Sequence, residues 1–218
     1  MKKAIVLGTG SFGELVNFYL ENDSDYTVIA FCASEASDKL FCGKSVFSFE
    51  GIENLFPPDD YEFFVAIGYR KMNAMRKDFC DQARAKGYKL LSYISSKATY
   101  WDAVNQIGEN VFIFEDNTIQ PFVKIGDGAV LWSGNHIGHH SKIGNYCFIS
   151  SHVVISGFCN IGDFCFLGVN STLSDDLTLG DNVLIGSGAY VSKSVEENRV
   201  VIAETSKTIK ILSNKLLR

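Results

Sequence analysis

Every sixth residue from Ile107 to Val191 is aliphatic: Ile107, Ile113, Ile119, Ile125, Leu131, Ile137, Ile143, Ile149, Ile155, Ile161, Leu167, Leu173, Leu179, Ile185 and Val191. A helix repeats every 3.6 residues and a strand every two, so neither sustains this beat. A hexapeptide period is the signature of a parallel β-helix. Each hexad makes one short strand and one corner. Three hexads close a triangular coil, so residues eighteen apart stack. The residue two before the aliphatic one is usually small or apolar, as at Ala129, Ser141, Cys147, Cys165 and Ala189, which suits a crowded corner. Glycine often follows it, as at Gly126, Gly138, Gly144 and Gly162, where it is expected to ease the turn. A solenoid needs caps. At one end the tail TIKILSNKLLR, with Ile209, Leu212 and Leu216 at helical spacing, is the expected cap.

The first ninety residues follow a different pattern. KKAIVLG, YTVIAFCA and EFFVAIG read as buried strands, and GELVNFYLEN as a helix. RKMNAMRKDFCDQARAKG reads as an amphipathic helix closed by Gly87, and KLLSYI as a further strand. Alternation of this kind predicts a small α/β unit with a mostly parallel sheet, able to cover the other end of the prism. The expected domains are residues 1–94, Rossmann-like α/β, and 95–218, β-helix with a C-terminal tail.

The net charge of −5 and the lack of any basic run exclude nucleic acid as the main partner. No apolar stretch approaches the ~20 residues that span a bilayer, so no membrane insertion is expected. In MKKAIVLGTG the apolar run is too short for a secretory signal. None of the six cysteines forms a CxxC pair, which points to free thiols and a cytoplasmic location.

Two motifs carry chemistry. GTGSFG, from Gly8 to Gly13, fits G-x-G-x-x-G between a strand and a helix. A dinucleotide fold wants an acidic residue about twenty positions on for the ribose. Cys32 and Ala33 stand there instead, and the unit is short, so NAD is not expected. A turn that offers backbone N–H groups to a phosphate remains open beside a ligand-free turn. LWSGNHIGHHSKIGNYC holds His136, His139 and His140. No Cys or carboxylate completes a zinc spacing, so no metal is expected. On the residues alone the cluster is either polar corner filler or a general base, since acyl transfer needs a proton acceptor near neutral pH.

IVLGTGSFGE, FFVAIGYRK, IGHHSKIG and IGDFCFLGVNSTLSDDLTLGDNVLIGSGAYV together resemble the NeuD/PglD-type sugar O- and N-acyltransferases of the hexapeptide-repeat superfamily, over nearly the whole chain. The resemblance implies a left-handed parallel β-helix, a homotrimer, acetyl-CoA in a groove between two subunits, and a nucleotide-linked amino sugar held by the N-terminal domain. It implies His139 as the catalytic base, with Gly157, one coil on, giving an N–H to the acetyl carbonyl. The family usually places an acidic residue where His140 stands. The nucleotide-sugar residues it implies are Gly8, Gly10, Ser11, Phe12, Gly13, Cys32, Ala33 and Gly68. Those for acetyl-CoA are Phe148, Gly157, Val169, Ser187 and Lys207. Relatives often carry histidine at Phe12 and acidic residues at Cys32 and Ala33.

The expected activity is N-acetylation of a nucleotide-linked amino sugar by direct attack of its amine on the thioester. O-acetylation of a sugar hydroxyl and a non-catalytic nucleotide-sugar-binding protein are the alternatives. Phe112, Phe122, Trp132, Phe158 and Phe166 point outward in the hexad pattern and are expected at subunit contacts.

Overall fold

The hexad beat becomes seventeen two-residue strands in the computed structural model, which describes residues 1–206 and Lys210. Strands pair in parallel with partners eighteen residues away: Ile125 with Ile143, Leu131 with Ile149, Ile137 with Ile155. Three sheets result, each one face of a prism. We name them by what points outward. The lysine face carries Gln106, Lys124, Lys142, Asn160 and Thr178. The phenylalanine face carries Tyr93, Phe112, Val130, Phe148, Phe166, Leu184 and Val200. Thr118, His136, Val154, Thr172 and Tyr190 mark the histidine face. The inward aliphatic residues form one core with the corner residues Ala129, Cys147, Cys159 and Cys165.

The corners correct the expected role of glycine. Left-handed φ recurs every six residues, but two positions after the glycine: Asn110, Asp116, Phe122, His140, Tyr146, His152, Phe158, Phe164, Asn170, Asp176 and Asn182 all adopt it. The glycine just after the aliphatic residue is needed for close approach between coils instead. A Cβ on Gly144 would lie 2.5 Å from Asp163 Oδ1 and 2.6 Å from the Gly162 carbonyl carbon. So the turn tolerates side chains, and where glycine follows the aliphatic residue the stacking leaves no room for one.

In the N-terminal unit, β1 (Lys2–Leu7) lies between β2 (Tyr26–Ala33) and β5 (Glu62–Val65), all parallel. A hairpin that periodicity does not reveal, β3 (Ser37–Phe41) and β4 (Lys44–Ser48), extends the sheet to the order β3-β4-β2-β1-β5. Helices α1 (Ser11–Asn22) and α3 (Ala74–Ala85) cover opposite sides; a short α2 (Ile52–Leu55) follows β4. Of KLLSYI, only Tyr93–Ile94 forms a strand, and it joins the phenylalanine face beside Phe112–Ile113.

That face is where the two units meet. Phe112, Phe114, Val130 and Phe148 share a core with Ala4, Val6, Val16, Leu20 and Phe64. Phe112 is therefore 0% exposed and is no subunit contact. Its outward position is covered by the chain's own α/β unit. Phe166 packs with Tyr69, at 5.0 Å between ring centroids, and Trp132 stacks on Phe114 at 4.6 Å. Only Phe122 and Phe158, 51% and 55% exposed, remain of the five as solvent-facing aromatics.

Polar groups lock the join. Arg76, on α3 and wholly buried, donates from Nε to Gly128 O at 2.7 Å, from Nη1 to the carbonyls of Ile67 and Gly68, and from Nη2 to those of Tyr146 and Cys147 and to Asn73 Oδ1. Burial pulls its pKa down to about 10. Asn110, at a prism corner, receives Val65 N–H at 2.8 Å and donates back to Val65 O. Arg84 bridges from α3 to Glu109 and Asp127. Asp23, just past α1, accepts from Tyr93, Ser95 and Ser96. Burial works against its ionisation, but those hydrogen bonds prevail and hold the carboxyl down to about 2.

Candidate active site

The carboxyl ends of β1 and β5 open toward the start of α1, the place where ligands bind in parallel sheets. Gly8 has φ +123°, and a Cβ there would sit 2.6 Å from Ala66 O. A Cβ on Gly13 would collide with Gly8 O. These two glycines let strand, loop and helix approach one another. Gly10 differs: it is the N-cap of α1, no side chain caps the helix, and a Cβ there would meet no protein atom within 4 Å.

Gly10 faces a cavity of about 490 Å³. Its lining joins Gly8, Gly10, Ser11 and Phe12 to Ala66, Ile67, Gly68, Tyr69, Arg70 and Met75, and to Trp132 and Phe148 of the prism. An uncapped helix N-terminus and an exposed guanidinium at one side offer an anion site. The aromatic wall at the other side offers a stacking surface. Of the residues expected around the nucleotide sugar, Gly8, Gly10, Ser11, Phe12 and Gly68 converge here. Gly13, Cys32 and Ala33 are not in the lining. Cys32 is fully buried behind the sheet, where burial pushes its thiol pKa well up, and its carbonyl receives Gly8 N–H. Phe148, expected near the acetyl-CoA thioester, lines this cavity. Tyr69, Arg70, Met75 and Trp132 escape sequence reasoning. The nearest signal is FFVAIGYRK, which sets an arginine just past a strand's carboxyl end.

A β-carbon on Gly10 would meet no protein atom within 4 Å, and valine adds two methyl groups beyond it toward this opening. Gly10→Val is expected to weaken nucleotide-sugar binding at least tenfold, roughly 1.4 kcal/mol, with acetyl-CoA affinity unchanged. Equal affinities for wild type and variant in calorimetry would remove the loop from the site.

The histidines lie elsewhere. His139 and His140 sit on the edge between the histidine and lysine faces, opposite the phenylalanine face and its cavity. Both are exposed, and their Nδ1 atoms are 3.1 Å apart. The His139 ring lies against Gly157: a Cβ there would be 3.0 Å from its Cε1 and 3.2 Å from its Nε2. His139 backbone N–H donates to Gln120 Oε1, and its carbonyl accepts Phe158 N–H. The expected bare N–H at Gly157 is not found. It donates to Asp175 Oδ1 at 3.0 Å, because Asp175 follows one coil on and its short carboxylate reaches back along the column. Asp127, Asn145, Asp163 and Asp181 make the same reach along another edge.

Val169 and Ser187 occupy the edge between the phenylalanine and histidine faces, two corners of one column. Within one chain they do not meet Gly157. Lys207 and the tail residues Ile209, Leu212 and Leu216 lie outside the described residues. His136 is half-buried on the histidine face, paired with Thr118 and Val154. Among the described residues no three His, Cys, Asp or Glu side chains converge as a metal site, and no helix is long and apolar enough to cross a membrane. All six cysteines are free thiols, and Cys42 alone is exposed.

Residues 3–83 match the PglD N-terminal domain, and residues 106–138 and 158–193 match the bacterial transferase hexapeptide repeats. No curated protein sequence matches the chain. Among solved structures, the acetyltransferase domain of PglB from Neisseria gonorrhoeae FA1090, in complex with acetyl coenzyme A, is similar at a TM-score of 0.84 and 22% identity, covering 95% of this chain and 99% of that one. PerB from Caulobacter crescentus, in complex with CoA and GDP-perosamine, is similar at 0.82 and 23%, covering 93% and 95%. WeeI from Acinetobacter baumannii AYE is similar at 0.59 and 19%, covering 93% and 97%. At these identities the likeness is one of fold.

Proposed function

Because the chain belongs to the hexapeptide-repeat acyltransferases that carry a PglD N-terminal domain, we propose that it transfers an acetyl group from acetyl-CoA to the amine of a nucleotide-linked sugar. The observation that carries this reading is the edge where the His139 ring rests on a residue without a side chain. A general base there has open space beside it for a thioester and an attacking amine. The cavity at Gly10 supplies the second half: N–H groups and Arg70 for the phosphates, aromatic rings for the remainder of the ligand. PglB and PerB, with acetyl coenzyme A or with CoA and GDP-perosamine bound, support the choice of cosubstrates.

In the reaction the amine nitrogen attacks the thioester carbonyl carbon and its proton passes to His139 Nε2. The C–S bond then breaks, and CoA leaves as a thiolate that takes this proton from the His139 imidazolium. Gly157 contributes clearance. Its N–H is held by Asp175 Oδ1 at 3.0 Å and is given no part in the step. Val169, Ser187 and Lys207 hold the CoA.

The two halves lie on different sides of one chain, so a complete site needs two copies. The histidine face has less charge than the lysine face and no α/β unit over it. With three such faces around a threefold axis, the His139 edge of one subunit meets the next subunit's edge bearing Val169 and Ser187. Light scattering is expected to give about three times the 24.1 kDa monomer mass. A monomer at micromolar concentration overturns the shared site. Thiol release from acetyl-CoA, measured against a panel of nucleotide amino sugars and their hydroxy analogues, tests the activity. Release with the hydroxy sugars alone would make it an O-acetyltransferase, and release with none would leave a binding protein.

A further inference from the structure

The Nδ1 atoms of His139 and His140 face each other at 3.1 Å. Two neutral imidazoles in this arrangement share one proton: one nitrogen donates and the other accepts. The nitrogen that carries the proton on one side of a ring decides which is bare on the other. His139 Nε2 has no hydrogen-bond partner among the described residues and lies beside Gly157. It can accept from an amine only if the His139 proton is on Nδ1.

His140 is placed to accept the hydrogen bond from that Nδ1–H. Its ring is stacked on Phe158 at 5.1 Å and 18°, with Phe122 on its other side at 4.8 Å. The two phenyl rings fix the plane of His140, and its left-handed φ of 61° turns the side chain back along the edge toward His139. Phe158 also meets the His139 ring edge-on at 4.9 Å, which fixes that ring relative to the pair.

We propose that His140 is the positioning residue for His139, accepting the Nδ1–H of His139 on its own Nδ1 and leaving His139 Nε2 bare toward Gly157. An acidic residue at this place would accept the same hydrogen bond with a negative charge. His140 keeps the acceptor and dispenses with the charge. The 3.1 Å contact admits either donor, so the direction of this hydrogen bond and its consequence for turnover both rest on the acetyl-transfer reading.

Two variants separate the roles. His140→Phe keeps the aromatic stack, and phenylalanine already occupies left-handed corners at 122, 158 and 164, so the fold is maintained while the acceptor is lost. Its kcat is expected to fall ten- to a hundredfold, the usual range for partners that orient a histidine at a metal centre, with both KM values unchanged. His140→Glu restores an acceptor and is expected to recover kcat. Nitrogen-15 chemical shifts, taken at alkaline pH where both rings are neutral, report the tautomer directly. The expected result is His139 protonated on Nδ1 in wild type and His140→Glu, and shifted toward the Nε2–H form in His140→Phe. A wild-type His139 protonated on Nε2 overturns the proposal, as does an unchanged tautomer in His140→Phe. The expected tautomers together with full turnover by a His139→Ala variant would uphold the pair and overturn the general-base reading instead.

Discussion

Replacing His139 with alanine is expected to lower kcat by ~10²–10⁴, the contribution of a positioned general base, or about 3–5 kcal/mol of barrier. The KM for acetyl-CoA should change little, because the general-base proposal gives the imidazole a part in the proton transfer and none in holding the cofactor. The variant should fold and assemble as wild type does. His139 is exposed, and its structural bonds to Gln120 and Phe158 are made by backbone atoms. His136→Ala should cost least, since His136 lies on a face and not on the edge beside Gly157. Steady-state kinetics at saturating nucleotide amino sugar ranks the variants. Near-wild-type turnover by His139→Ala alongside a loss in His136→Ala would place the base on the wrong histidine.

Arg76→Met is expected to be the most destabilising single change in the molecule. The methionine fills much of the space but donates nothing. It strands the carbonyls of Gly128, Ile67, Gly68 and Tyr146 and the amide oxygen of Asn73, while the Cys147 carbonyl keeps the Val130 N–H. An unsatisfied buried acceptor costs roughly 1–3 kcal/mol. Ile67 and Gly68 are only half-buried and can turn to water, so a total of about 3–5 kcal/mol is expected, in the range for breaking a buried charged network. For a domain of this size that lowers Tm by about 10 °C. Arg76→Lys should recover part of it, since an ammonium has three donors and no planar fork. Calorimetric melting within 2 °C of wild type, on the order of 1 kcal/mol, would show that the carbonyls find other partners.

The prism was legible because its period is local and unbroken: Ile125, Ile143 and Ile161 announce one another, and each faces inward as their spacing requires. The cavity was half legible. Gly8, Gly10, Ser11 and Phe12 form one contiguous motif, but Arg70, Trp132 and Phe148 reach it from segments whose meeting depends on how the α/β unit docks. Docking itself left little trace in the pattern. Phe112 and Phe122 are both outward aromatics, and only the covering of one face separates a core residue from an exposed one. Arg76 sits in a stretch that reads as an amphipathic helix, in which an arginine belongs to the polar side. Its partners are main-chain carbonyls, which have no sequence identity. At the corners, the left-handed position takes Gly, Asn, Asp, Phe, His or Tyr, so no residue type marks it.

The coil spacing also sets rules for how such a chain can change its length. A single residue inserted within a strand between Ile125 and Ile143, beside Leu131 or Ile137, would turn the following aliphatic side chains off the interior and break the eighteen-residue pairing above it. Growth is admissible only as a bulge at a corner or as whole coils. A corner bulge leaves the strands in register. An added coil beyond Asp175 would leave His139 on Gly157 undisturbed, while one placed between His139 and Gly157 would part them by a full layer. The histidine edge is therefore measured out in layers, and gains or losses of chain are neutral or fatal according to which layer boundary they fall on.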